Sequence, residues 1–226
     1  QAPDPATGAR ITPIYQTTAY VFNDVQHASD LFALRAFGNI YTRIMNPTQG
    51  ALEGKVTALE GGTAALAVAS GHAAQMLAFH TLLEPGDEFI AGRQLYGGSI
   101  NQFNHSYKSF NWNVKWADPD DLSTFEAAVS PRTKAIFIES IANPGGVICD
   151  IEAIAKIANR ARVPLIVDNT LASPYLFIYD LTLLTVAQAF LIRHILDWEG
   201  GREPQRWAGG GVPTSPQPSA VRSRVR

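Results

Sequence analysis

The triplet Ser70–Gly71–His72 stands where an apolar run gives way to a helical pattern. A glycine at such a point lets the backbone come close to an anion, and the free N–H groups of the helix start can hold a phosphate. Taken alone, the triplet reads better as an ordinary strand-to-helix turn. Tyr96, in LYGG, follows a second apolar run; its ring face suits stacking on a flat ring, and a half-buried core tyrosine is an equal reading. Asp168 closes the most hydrophobic run, in IVDNT, where a carboxylate is costly unless paired with a cation such as a protonated ring nitrogen. A cap for the next segment is the weaker reading, because Asn169–Thr170–Leu171 leads into no clear helical pattern. Glu139 and Asn143, in ESIANPGG, end the run before it and supply a turn with a polar face. Tyr41 and Arg43, far upstream, have the character of a phosphate clamp or of a plain surface pair. Together these residues suit a phosphorylated, flat, heteroaromatic ligand.

Other chemistries find less support. No G-x-G-x-x-G follows a strand pattern, and Gly54–Lys55 lacks the glycine five residues earlier and the Ser or Thr that a phosphate loop needs. The histidines His27, His72, His80, His105 and His194 form no HExxH or carboxylate-flanked cluster, so no metal site is expected. Ser70 lies between a strand and a helix, but Ala69–Ser70–Gly71 is not a G-x-S-x-G elbow.

Residues after apolar runs need a scaffold that brings those ends together. Ala64–Ala69, Glu88–Ala91, Val114–Ala117, Lys134–Glu139 and Pro164–Asp168 read as buried strands. Gly71–Leu83, Gly97–Phe110, Asp120–Val129 and Asp150–Ala161 between them carry helical spacing. The alternation predicts an α/β fold with a doubly wound, mainly parallel sheet, whose ligands collect beyond the carboxyl ends of the strands. Upstream, Asp24–Phe37 is a helix candidate, and Asn46–Pro47 starts a helix that should stop at Gly61–Gly62. The expected organisation is an arm over 1–62, the α/β domain over 63–180, and an aberrant helix with a Gly/Pro/Arg-rich tail over 181–226.

The chain has 226 residues, 46% of them hydrophobic and 17% charged, enough to bury a substantial core. A formal net charge of −2 excludes nucleic-acid binding by bulk charge. The single Cys149 excludes an intramolecular disulfide framework. The best membrane candidate, Leu181–Leu196, is short and interrupted by Gln188, Arg193 and His194. The opening segment has no signal-peptide pattern and begins without Met, which reads as a start inside a longer chain. From Glu199 onward there are five Arg and no Lys among Gly, Pro and Ser, a segment expected to be mobile; the composition is also that of a GC-rich gene read out of frame.

The runs YTRIMNPTQGALE, ALEGGTAALAVASGHAAQ, LYGGSINQF, ESIANPGG and PLIVDNTLASPYL, in this order, resemble the Cys/Met-metabolism family of pyridoxal-phosphate enzymes, over Gln1 to about Leu176. Within it, SGHAAQ, NQFNHSYKSFNW and IMNPTQ look more like the O-acetylhomoserine sulfhydrylases than the cystathionine synthases and lyases. The resemblance implies a fold-type-I, aspartate-aminotransferase-like large domain in a cytoplasmic homo-oligomer of methionine biosynthesis, a dimer or tetramer, with pyridoxal 5'-phosphate as cofactor. It implies further that Gly71 and His72 bind the cofactor phosphate through their N–H groups, that Tyr96 stacks on the ring, and that Asn143 touches the ring hydroxyl. Asp168 would pair with the ring nitrogen, with Thr170 beside it, and Tyr41 and Arg43 would reach the neighbouring subunit's phosphate site.

One departure is serious. The family carries a Ser-x-Thr-Lys run after the aspartate, whose lysine forms the Schiff base with the cofactor. Here that position falls at Arg193, or at Gln188 in Thr185–Val186–Ala187–Gln188 if a short deletion is allowed, and the last lysine of the sequence is Lys156. A guanidinium stays protonated and cannot act as the nucleophilic amine. No catalytic residue is therefore assigned. The expected function is O-acetylhomoserine sulfhydrylase-like, in a truncated and inactive form; the alternative is a non-catalytic remnant that binds the cofactor weakly or associates with an intact homologue.

Overall fold

The structure is a computed structural model and describes residues 3–172. The expected helix at Leu181–Leu196, with Gln188 and Arg193, and the tail from Glu199 lie outside the described residues. So does the end of the domain expected to close at residue 180.

Among the described residues, four parallel strands form the sheet: β1 (Glu88–Gly92), β2 (Asn113–Ala117), β3 (Thr133–Glu139) and β4 (Leu165–Asp168), in the spatial order β2-β1-β3-β4. Successive residues of the central strands feed two different cores, as the two-residue period of a strand requires. Phe89, Ala91, Ala135, Phe137 and Ile166 join an aromatic core with Phe79, Phe103 and Tyr107 on one face. Ile90, Ile136, Ile138 and Leu165 join an aliphatic core with Phe125, Ile154 and Ile157 on the other. Because both faces are covered, these strands read as continuous apolar runs rather than alternating ones.

The helices divide accordingly. Over the aromatic core lie α3 (Gly71–Leu82) and α4 (Gly97–Asn101), which continues through a π-helical turn (Gln102–Ser106) and a 3₁₀ turn (Tyr107–Phe110). Over the aliphatic core lie α5 (Leu122–Ala128) and α6 (Ile151–Ala161). The connection leaving β1 moves along the sheet in one direction over one face, and the connection leaving β3 moves in the other direction over the other face. The strand order thus reverses between β1 and β3, and such a switch point opens a crevice beyond their carboxyl ends.

Upstream, α1 (Val25–Phe32) is capped by Asp24, whose side chain accepts the His27 N–H. It ends five residues before the expected Phe37. Leu34 adopts a left-handed conformation (φ 56°), and the Arg35 N–H returns to the Asp30 carbonyl, which turns the chain. Helix α2 (Pro47–Glu60) is as expected: Asn46 caps it by accepting the Thr48 N–H, and Gly61 closes it with φ 63°.

The strand expected at Ala64–Ala69 is not formed. This segment pairs with no strand; its Ala67 N–H donates to Glu53 Oε1 and its Ala67 carbonyl accepts from Gln49 Nε2, both on α2. Leu66 is exposed. Two side chains satisfy the backbone that a ladder would otherwise hold. Among the described residues no helix is long and apolar enough to cross a membrane.

Candidate functional site

The crevice at the switch point holds a cavity of about 320 Å³, within the range of small-molecule sites. Of the eight residues that the resemblance assigns to the cofactor, six line it, Gly71, His72, Tyr96, Asn143, Asp168 and Thr170, and so do Ser70 and Glu139 from the sequence reading. Tyr41 and Arg43 do not. They lie in the arm, where Tyr41 bridges to Ala19 and the Arg43 guanidinium sits 5.7 Å from the Tyr41 ring centroid.

Each lining residue is placed by its element. Ser70 caps α3, its hydroxyl accepting the Ala73 N–H at 3.1 Å. Gly71 and His72 occupy the first turn, where backbone N–H groups have no intrahelical acceptor and the helix dipole favours an anion. Tyr96 begins α4 and is half exposed. Its ring is stacked with the His72 imidazole, centroids 6.1 Å apart at 28°. Both rings lie over Gly98, where a methyl group would collide with them, so a glycine is required for this close approach.

The carboxylates stand at the ends of neighbouring strands, Glu139 of β3 in register with Asp168 of β4. Asp168 is buried, and its Oδ1 accepts both the backbone N–H of Thr170 at 3.0 Å and its hydroxyl at 2.5 Å. The capping alternative is therefore realised in part, as a local turn rather than a helix start. Glu139 is buried as well. One of its oxygens accepts the Tyr96 N–H at 2.7 Å and the other the Asn143 N–H at 3.0 Å. Burial pushes its carboxyl above the usual range, the two N–H donors oppose the shift, and the Asp168 charge adds to it.

Two polar lining residues lie inside the quoted motifs SGHAAQ and LYGGSINQF but were given no role there. Gln75 and Ser99 are buried, and Gln75 Nε2 donates to the Ser99 hydroxyl at 2.8 Å, leaving the Gln75 carbonyl oxygen without a partner among the described residues. The signal for Gln75 is its spacing: four residues beyond Gly71 is one helical turn on the same face. Outside the cavity, Gln102 in the π-helical turn donates to the His72 carbonyl at 3.2 Å, tying α4's continuation to the start of α3.

The arrangement can hold an anion at one end, a flat ring against Tyr96, and a cation beside Asp168. No cluster of His, Cys, Asp and Glu that could hold a metal ion occurs among the described residues. None of the five lysines lines the cavity: Lys55 and Lys156 are on α2 and α6, Lys108 is on the 3₁₀ turn, and Lys115 and Lys134 are on β2 and β3.

An O-acetyl-L-homoserine sulfhydrylase of Leptospira meyeri is 48% identical over 176 residues, covering 78% of this chain and 40% of the relative. O-acetyl-L-homoserine sulfhydrylase 1 of Thermus thermophilus is 43% identical over 232 aligned residues, covering 96% of this chain and 54% of the relative. The chain thus spans about half the length, or less, of these relatives. A solved structure described as an O-acetylhomoserine (thiol)-lyase from Campylobacter jejuni, with a pyridoxyl-lysine phosphate, superposes with a TM-score of 0.74 at 38% identity, covering 76% of this chain and 42% of that one. The family profile described as Cys/Met metabolism PLP-dependent enzyme matches residues 1–183. This chain belongs to the Cys/Met metabolism family of pyridoxal-phosphate-dependent enzymes.

Proposed function

We propose that the switch-point cavity binds pyridoxal phosphate and that the chain is the cofactor-binding part of an O-acetylhomoserine sulfhydrylase, which replaces the acetate of O-acetylhomoserine with sulfide to give homocysteine. The observation that carries this reading is Asp168. It is a buried carboxylate at a strand end, opening onto the same cavity as the first turn of α3 and the ring of Tyr96. A carboxylate so placed is suited to a cationic partner. The residues fit the cofactor: Gly71 and His72 offer N–H groups to its phosphate, Tyr96 a face for its ring, Asn143 a polar edge, and Asp168 a charge for its nitrogen.

When bound, pyridoxal phosphate supplies an electron-accepting ring. Asp168 keeps the ring nitrogen protonated, and the Thr170 N–H and hydroxyl hold Asp168 Oδ1 in place for that task. Tyr96 fixes the plane of the ring and covers one side of it against water. Tyr41 and Arg43, away from the cavity of their own chain, reach the phosphate of a second copy, so the working unit is a homo-oligomer. None of the five lysines lines the cavity, and Arg193 or Gln188 stands where the family carries its lysine, which supports cofactor binding without covalent attachment and without turnover.

Titration of the full chain with pyridoxal phosphate, followed by tryptophan fluorescence and by the cofactor's absorption, tests the reading. Saturable binding of one equivalent is expected, with no homocysteine formed from O-acetylhomoserine and sulfide. Lack of saturation at millimolar cofactor would sink the cofactor reading. Turnover would sink the assignment of this chain as inactive.

A further inference from the structure

Glu139 has no role among those carried by the family resemblance, yet its position is unusual. It is the last residue of β3, only 4% exposed, and it stands in register with a second buried carboxylate, Asp168. No lysine or arginine pairs with it among the described residues. Its partners are two backbone N–H groups from different loops: Tyr96, after β1, and Asn143, after β3. Burying a carboxylate beside another without a cation is costly, and apolar residues would fill the space at less expense.

What the carboxylate provides is a two-pronged tie. Tyr96 starts α4 without any side-chain cap, so its N–H bond to Glu139 anchors that helix start to the sheet. The turn after β3 is anchored at Asn143 by the other oxygen. Both loops line the cavity, one with the stacking ring and the other with a polar edge. We propose that Glu139 is a positioning residue of the cofactor pocket, which fixes Tyr96 and Asn143 at one spacing across the crevice so that they form a single preorganised wall. The proposal rests on the cofactor reading above.

The experiment uses the full chain with Glu139→Gln and Glu139→Ala. Glutamine keeps one acceptor and sets an N–H₂ group against the other N–H; alanine removes both acceptors. Amide hydrogen exchange is first measured without cofactor. In both variants the amides of Tyr96 and Asn143 should exchange roughly tenfold faster or more, with those of Phe89 and Ile136 unchanged. Titration with pyridoxal phosphate should then show the dissociation constant raised by roughly tenfold or more in Glu139→Ala and by less in Glu139→Gln.

Faster exchange at both amides with unaltered cofactor affinity would overturn the proposal and leave Glu139 a loop brace. Unchanged exchange, or exchange accelerated across the whole sheet, would also overturn it. Should Glu139→Ala fail to fold, Glu139→Gln decides on the same two readouts. Failure of the unaltered chain to bind the cofactor is a different result, seen before any variant is made. It overturns the cofactor reading and the ligand-positioning role with it, while exchange still shows whether Glu139 ties the loops.

Discussion

Asp168 and Thr170 share one hydrogen-bonded turn but differ in what they can offer a ligand. Only Asp168 carries a full charge, so Asp168→Ala should weaken pyridoxal-phosphate binding by about 2 kcal/mol, roughly thirtyfold, and Thr170→Ala by about 1 kcal/mol or less. Fluorescence titration of the two variants side by side measures this, and equal losses would remove Asp168 from its assigned role. At this scale much of the cavity was legible in the sequence. The reason is that residues ending apolar runs must gather at one edge of a parallel sheet, which places Tyr96, Asn143 and Asp168 near one another; Gly71 reaches the same edge as the first residue of α3, without the strand expected before it. Gln75 and Ser99 were hidden because their partnership joins two helices over a separation of 24 residues, and no local pattern announces it. The Glu139 tie was hidden for a related reason. Its acceptors serve backbone N–H groups, which carry no residue signature.

The elements were legible where both faces of a strand are covered and failed where the apolar character had another cause. The segment 64–69 is as apolar as β1, but its backbone is held by Gln49 and Glu53 of α2, a long-range choice that composition does not encode. Helix starts set by a cap residue, as at Asn46 and Asp150, could be read directly; the end of α1 could not, because a leucine takes the left-handed turn there. At the amino end of β1, opposite the cavity, Glu88 joins three segments. Its buried carboxylate accepts from the Ser130 hydroxyl at 2.7 Å and pairs with Arg132 at 2.5 Å and Lys115 at 3.8 Å. The Ser130 hydrogen bond foremost, with the two cations, holds this carboxyl below its ordinary value of 4.5. A depressed carboxyl stabilises the fold above its unfolded value and ceases to do so as pH falls through the folded one. Glu88→Gln should therefore cost about 1–2 kcal/mol near neutral pH, with the gap from the unaltered chain narrowing at about pH 3. Urea midpoints at the two pH values decide it; a gap that widens in acid would contradict the assignment.

For the whole molecule, the distribution of amines is decisive. The described ion pairs place Lys115 with Glu88, Lys134 with Asp87 and Lys156 with Glu152, and no lysine follows Lys156. Borohydride reduction of the cofactor-loaded chain, followed by peptide mapping, should yield only scattered, substoichiometric pyridoxyl-lysine. A single stoichiometric adduct on any one residue would show that a lysine outside the family position has taken over covalent attachment. The order in which the chain is made bears on the same cavity. Among the described strands, β1 is synthesised first; β2 joins one flank, β3 the other, and β4 extends the second flank after them. During translation the sheet therefore grows outward from its middle, and until the following segment arrives each new flank is an unpaired edge. Asp168 is made after Tyr96 and Asn143, so on the proposed reading a site that needs all three cannot hold the cofactor until β4 has been made.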